Sequence, residues 1–148
     1  MLQADEEQSL HIKAAAGTGK TFVAMIFLQK TIDAIVASKD PKRRVLIVAP
    51  NEPLVLMIVK WLAQRCVRNR QMKRLLKTVH VLHGSPTSGG VPTGVRLKDN
   101  TIEMVPLSSS QQCALYDIKV VDEAHSIYAS TATGFGAVTT SCKAKRLL

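Results

Sequence analysis

His11-Ile12-Lys13-Ala14-Ala15-Ala16-Gly17-Thr18-Gly19-Lys20-Thr21-Phe22 reads as a short strand, a glycine-bearing turn and the start of a helix. Gly17 and Gly19 reach the positive φ values that turn successive backbone N–H groups toward one centre. A helix beginning near Gly19 aims the positive end of its dipole at the same point. The product is an anion site. Lys20 adds a mobile ammonium suited to β- and γ-phosphates, and the Thr21 hydroxyl can ligate the Mg²⁺ that bridges them. The spacing is G-x-x-x-x-G-K-[ST] with Ala14 in place of the first glycine, a methyl that an ordinary φ accommodates. Ala14, Ala15, Ala16, Gly17, Thr18, Gly19, Lys20 and Thr21 are the expected nucleotide-binding set. Taken alone, an ordinary glycine turn ahead of a helix would look much the same.

About a hundred residues downstream, Ile118-Lys119-Val120-Val121 runs into Asp122-Glu123-Ala124-His125, an apolar strand that delivers two carboxylates. Metal-assisted phosphoryl transfer needs one carboxylate to hold Mg²⁺, directly or through a water, and a neighbour to orient and deprotonate the attacking water. Asp122 takes the first role beside Thr21 and Glu123 the second, so catalysis is assigned to Glu123 with Lys20. By itself a strand-end acidic pair is as often a solvated feature. In this order, and on these elements, the two stretches make a nucleotide site.

AAAGTGKT followed by VVDEAH resembles motifs I and II, the Walker A and Walker B boxes, of the superfamily 1 and 2 nucleic-acid helicases and translocases. Among them it resembles the Schlafen-type helicase-like ATPase group. The resemblance implies ATP and Mg²⁺ as ligands and a cycle that drives a motor along DNA or RNA. For His125 in the DEAH box it implies contact with the γ-phosphate region or relay of its state to a second domain, although a histidine early in a helix is otherwise a surface or capping residue. The fold it implies is a P-loop NTPase of RecA-like type: an α/β domain with a mainly parallel sheet, helices on both faces, and nucleotide at the carboxyl ends of the strands. Such motors have two lobes, and 148 residues is the length of one. The chain is therefore expected to be a partial or single lobe, with the second RecA-like lobe absent.

The net charge of +9, with a pI near 9.8, favours a polyanionic partner, and nucleic acid is the one expected. The excess is local. From Pro53 to Lys98 no acidic residue occurs, while Lys60, Arg65, Arg68, Arg70, Lys73, Arg74, Lys77, Arg96 and Lys98 all do. The three cysteines, Cys66, Cys113 and Cys142, are widely spaced and form no C-x-x-C pair, which suggests reduced thiols and neither a zinc site nor a disulfide framework. Asp5, Glu6 and Glu7 stand where a signal peptide would be basic and then apolar. Uninterrupted apolar runs such as Phe22 to Leu28 fall short of the roughly 20 residues of a membrane span. A soluble cytosolic or nuclear chain with no membrane partner is the expectation.

Residues 1–9 read as a polar lead-in, 10–130 as the helicase-type ATP-binding domain, and 131–148 as a tail or truncated continuation. The helix from about Gly19 to Ser38 is apolar almost all round, which argues for burial against a sheet. Val45-Leu46-Ile47-Val48-Ala49 has the continuous apolar character of a parallel strand covered on both faces. Pro50-Asn51-Glu52-Pro53 then starts a helix expected to run from Leu54 to about Arg70. VLIVAPNEPLV resembles helicase motif Ia, which would put Asn51 near nucleic-acid phosphates; Lys60, Arg65 and Arg68 are further candidate contacts. The basic stretch from Lys60 to Lys77 reads equally well as a solvated helix face. Thr78 to Leu82 is a strand, Gly84 to Gly94 a surface loop, Val95 to Pro106 an edge hairpin or loop, and Ser108 to Leu115 a short helix. His80 and His83 lack a third metal ligand and read as core or surface residues. Ser130-Thr131-Ala132-Thr133 looks like a motif III Ser-Ala-Thr but follows His125 too closely.

The functional expectation is ATP binding and Mg²⁺-dependent hydrolysis by one lobe of a nucleic-acid motor. The alternatives are a non-motor nucleotide-dependent switch or scaffold, an inactive truncated copy, and, further off, a small-molecule kinase. The last fits poorly, because Glu123 places a water-activating group where a kinase must admit another acceptor.

Overall fold

The computed structural model describes residues 8–9, 17–38, 40–66, 69–84, 90–113, 115–129 and 135–148. The strands there are β1 (Gln8–Ser9), β2 (Val45–Ala49), β3 (Val79–His83), β4 (Thr93–Lys98), β5 (Thr101–Pro106), β6 (Ile118–Val121) and β7 (Arg146–Leu147). They form one sheet in the order β1-β7-β6-β2-β3-β4-β5. The first five in that order run parallel, and β4 and β5 close the edge as an antiparallel hairpin. The helices are α1 (Lys20–Ser38), α2 (Glu52–Gln64), α3 (Asn69–Thr78), α4 (Ala124–Ala129) and α5 (Phe135–Ser141).

Alternation along β2 explains the layering. Val45, Ile47 and Ala49 face a core shared with α1, α2 and α3, whereas Leu46 and Val48 face a second core shared with Ile127 of α4 and Phe135 of α5. Because both faces are covered, every residue of β2 and of β3 is buried. The result is the expected α/β lobe, a mainly parallel sheet with helices on both faces.

Several expectations need correction. Helix α1 is not buried all round: Met25, Leu28, Ile32 and Ile35 pack on the sheet, while Phe22, Val23, Ile26 and Phe27 stay exposed. In length and composition α1 also qualifies as a helix able to cross a membrane, but its inner edge belongs to the core. The single helix expected from Leu54 to Arg70 is two, α2 and α3, separated by Arg65 and the residues after it. The amphipathic phase shifts at that break: α2 buries Val55, Ile58, Val59 and Leu62, and α3 buries Leu75 and Leu76. Asp99 and Asn100 both adopt positive φ, 47° and 61°, and make the two-residue turn that resolves Val95–Pro106 as a hairpin. Among the described residues from Ser108 to Leu115, helix is confined to Ser109–Gln111, one 3-10 turn.

The ends of the chain join the sheet. Gln8 and Ser9, expected as lead-in, form β1; of residues 131–148, the described ones continue the fold as α5 and β7, and β7 lies between β1 and β6. Lys119 is buried in β6 and its ammonium donates to the carbonyls of Thr139 and Cys142 at 3.1 and 3.0 Å, tying the end of α5 to the strand. Buried Asp117 accepts from Arg43 at 3.1 Å and Lys145 at 3.2 Å, fixing the turn before β2 and the approach to β7.

Candidate nucleotide site

The chain leaves β2 toward β3 on one side, and after the hairpin it returns to β6 and then β7 on the other. Strand order thus reverses between β2 and β6, and in an open parallel sheet the crevice beyond the carboxyl ends at such a point is where ligands bind. Asn51 follows β2 there and Asp122 follows β6. The two strand ends are stitched together, since the Asp122 N–H donates to the Val48 carbonyl at 2.9 Å.

Helix α1 brings its first turn to the same place. Gly17 and Gly19 have φ of 77° and 86°, the left-handed values the turn requires, and among the described residues no atom lies within 4 Å of where a side chain would start on either. The Val23 N–H reaches the Gly19 carbonyl at 3.0 Å, so the helix is wound from its first residue. Thr21 Oγ1 donates to Asp122 Oδ2 at 3.0 Å and Oδ1 at 3.2 Å. Both are hard oxygen donors. Neighbouring vertices of an octahedron with metal–oxygen bonds of about 2.1 Å lie about 3 Å apart, so the pair fits a shared Mg²⁺.

Glu123 has a φ of 54°, in the left-handed region that a non-glycine residue enters at a cost. Its N–H donates to Asp122 Oδ1 at 3.1 Å, and its own Oε2 lies 3.3 Å from His125 Nε2. The turn separates the two carboxylates: Asp122 faces α1, while the Glu123 side chain is exposed beside His125, itself 80% exposed. Strand-end spacing in the sequence carried no sign of this backbone conformation.

Of the other sequence-derived residues, Asn51 caps α2, its side-chain oxygen accepting from the Leu54 N–H at 3.0 Å. Lys60 is exposed on α2, and the Arg65 guanidinium stacks 3.7 Å from the centre of the Trp61 ring, which meets Phe22 edge-on at 6.0 Å. Trp61 is therefore half-buried between α1 and α2. Ala14, Ala15, Ala16, Arg68, the short strand expected ahead of the glycine turn and Ser130–Thr133 lie outside the described residues. His80 is buried in β3 with Nδ1 3.1 Å from the Tyr116 hydroxyl. Among the described residues no group of three or more His, Cys, Asp or Glu could hold a metal ion by itself. A metal at Asp122 therefore relies on Thr21 and on phosphate oxygens.

Residues 1–145 match the family model described as DEAD/DEAH box helicase. No curated protein matches the chain.

Proposed function

The chain belongs to the DEAD/DEAH box helicase family, and from that premise we propose that it binds ATP with Mg²⁺ and hydrolyses it slowly, as one lobe of a nucleic-acid motor. The contact between Thr21 and Asp122 carries the reading, because it joins the phosphate loop to the acidic strand end. Backbone amides from Ala16 to Thr21 hold the phosphates, and the Lys20 ammonium balances negative charge gathering on the γ-phosphoryl oxygens. Thr21 and Asp122 would hold Mg²⁺, which supplies Lewis-acid neutralisation of that charge. Glu123 orients the attacking water and accepts its proton, and His125, in contact with Glu123, senses the γ-phosphate region. Asp-Glu-Ala-His acts as the Walker B box. Nucleic acid lies across the carboxyl ends of the strands near Asn51.

Turnover by this lobe on its own should be slow. An arginine finger contributes about 10³ to 10⁵ in rate, and in this reading the second lobe supplies it. The test is calorimetry and phosphate release on two variants. Lys20→Ala should lose ATP affinity, whereas Glu123→Gln should keep the affinity and stop releasing phosphate. An ATPase unmoved by single strands at low salt would point instead to a non-motor switch, and no heat with ATP and magnesium would end the proposal.

A further inference from the structure

We propose that the outer face of α3 is a second nucleic-acid surface, holding the sugar–phosphate backbone away from the crevice that carries Thr21 and Asp122. Arg70, Lys73, Arg74 and Lys77 recur at i, i+3, i+4 and i+7, so one side of the helix presents them together, all exposed. The opposite side buries Leu75 and Leu76. Among the described residues none of the four cations has an ion-pair partner, although Asp117 and Glu103 take up Arg43, Lys145 and Arg96 elsewhere. Four like charges stacked at helical contact spacing weaken a helix. A bound polyanion removes that penalty.

The patch continues beyond the helix. At its end a hollow of about 340 Å³ is lined by Arg44, Arg74 and Lys77, with Asp40, against an apolar wall of Ile35 and Val36. The Arg44 guanidinium is held there by the carbonyls of Pro41 and Arg43, and the Asp40 carboxylate accepts from the Lys42 N–H. Thr78 ends α3 and Val79 begins β3, opposite Val45 at the start of β2. The hollow therefore sits at the amino ends of the strands, and Asp122 at the carboxyl ends. Arg70 to Lys77 rises about 10 Å, long enough for its cations to reach more than one phosphate of a strand.

Nucleic acid fits this face better than a lipid surface does. A helix lying on a membrane turns large apolar side chains outward, and those of α3 are turned inward. Only the class of partner is shared with the function proposed above; the α3 surface needs no nucleotide. Binding there should be sequence-independent and steeply salt-dependent.

The experiment is fluorescence anisotropy with a labelled oligo-dT, without nucleotide, across a salt series. Arg70→Gln/Arg74→Gln/Lys77→Gln should weaken binding at least tenfold near 100 mM salt and flatten the log–log salt slope by about 2, at about 0.7 per lost contact on a single strand. Lys30→Gln/Lys98→Gln/Lys143→Gln removes the same charge elsewhere and should leave the slope close to that of the unaltered chain. Lys20→Ala should bind the strand normally, which separates failure of the nucleotide site from failure of this one. The unaltered protein provides a check free of substitutions: oligo-dT should protect Lys73 and Lys77, but not Lys98, from amine acetylation. Equal loss in both triple variants, no protection of Lys73 and Lys77, or binding to anionic vesicles with none to oligo-dT would overturn the proposal.

Discussion

Thr21 Oγ1 lies 3.0 Å from Asp122 Oδ2, closing a loop of 101 residues with one hydrogen bond. The Glu123 N–H steadies the Asp122 carboxylate locally, but nothing local brings the two residues together. The contact exists because α1 packs over β6 and because β6 is stitched to β2 beside the place where α1 begins.

If that pair shares one Mg²⁺, its members act as a unit. Thr21→Ala and Asp122→Ala should each lower Mg²⁺-dependent phosphate release by about 10²-fold or more, and the double variant should be little worse than the worse single one. Steady-state kinetics on the three proteins decides it. Losses that multiply would mean the two residues serve separate ends.

Glu123 sits at a φ of 54°. A left-handed L-residue costs about 1–2 kcal/mol, and glycine gives back about 0.5–1 kcal/mol of that in chain entropy. Glu123→Gly should therefore be as stable as the parent, or up to about 1 kcal/mol more stable, while phosphate release falls to background. Glu123→Val should be destabilised, since a β-branched residue tolerates this conformation worst. Urea unfolding of both variants reads the difference; a glycine variant clearly less stable than the parent would contradict the assignment.

Asn51 separates a structural from a binding role. Its side chain caps α2, so Asn51→Ala should cost about 1 kcal/mol while Asn51→Ser, another good cap, costs little. Thermal melts measure that. If the same amide also reaches nucleic-acid phosphates, Asn51→Ser will bind strands less well at unchanged stability.

Burial, with the Arg44 cation adding to it, lowers the pKa of His80 from 6.5 to about 4. Between those two values the unfolded chain takes up a proton that the folded chain refuses, so stability declines as pH falls through that window. Above it His80 is neutral in both states and contributes no slope. Replacing His80 with Phe should flatten the decline in melting temperature between about pH 6.5 and 4, at the expense of the hydrogen bond to Tyr116. An unchanged slope in the variant would assign the acid sensitivity to other groups.

Local chemistry was the legible portion of this molecule. Gly17, Gly19, Lys20 and Thr21 announce a phosphate loop, and the apolar runs of β2, β3 and β6 announce buried strands, because each depends on residues close together in the chain. Asn51 was legible as a helix start. What escaped depends on distance or context. The break between α2 and α3 is marked by no proline or glycine, only by a change in which residues face the sheet. The exposed flank of α1 is as apolar as its buried one, so periodicity could not tell them apart. Glu123 takes its φ from the turn that lets Asp122 face Thr21, a constraint imposed by a helix a hundred residues away. Arg146 and Leu147 are too short a run to read as a strand, and they earn that status only from the partners on either side.

Those two residues have a consequence for how the protein is made. Since β7 fills the slot between β1 and β6, the opening strand finds no seat until residues 146 and 147 have left the ribosome. Residues 8 and 9 thus wait for their partner until the central strands and α5 have been made. Seating of β1 against β7 should therefore follow pairing of the central strands.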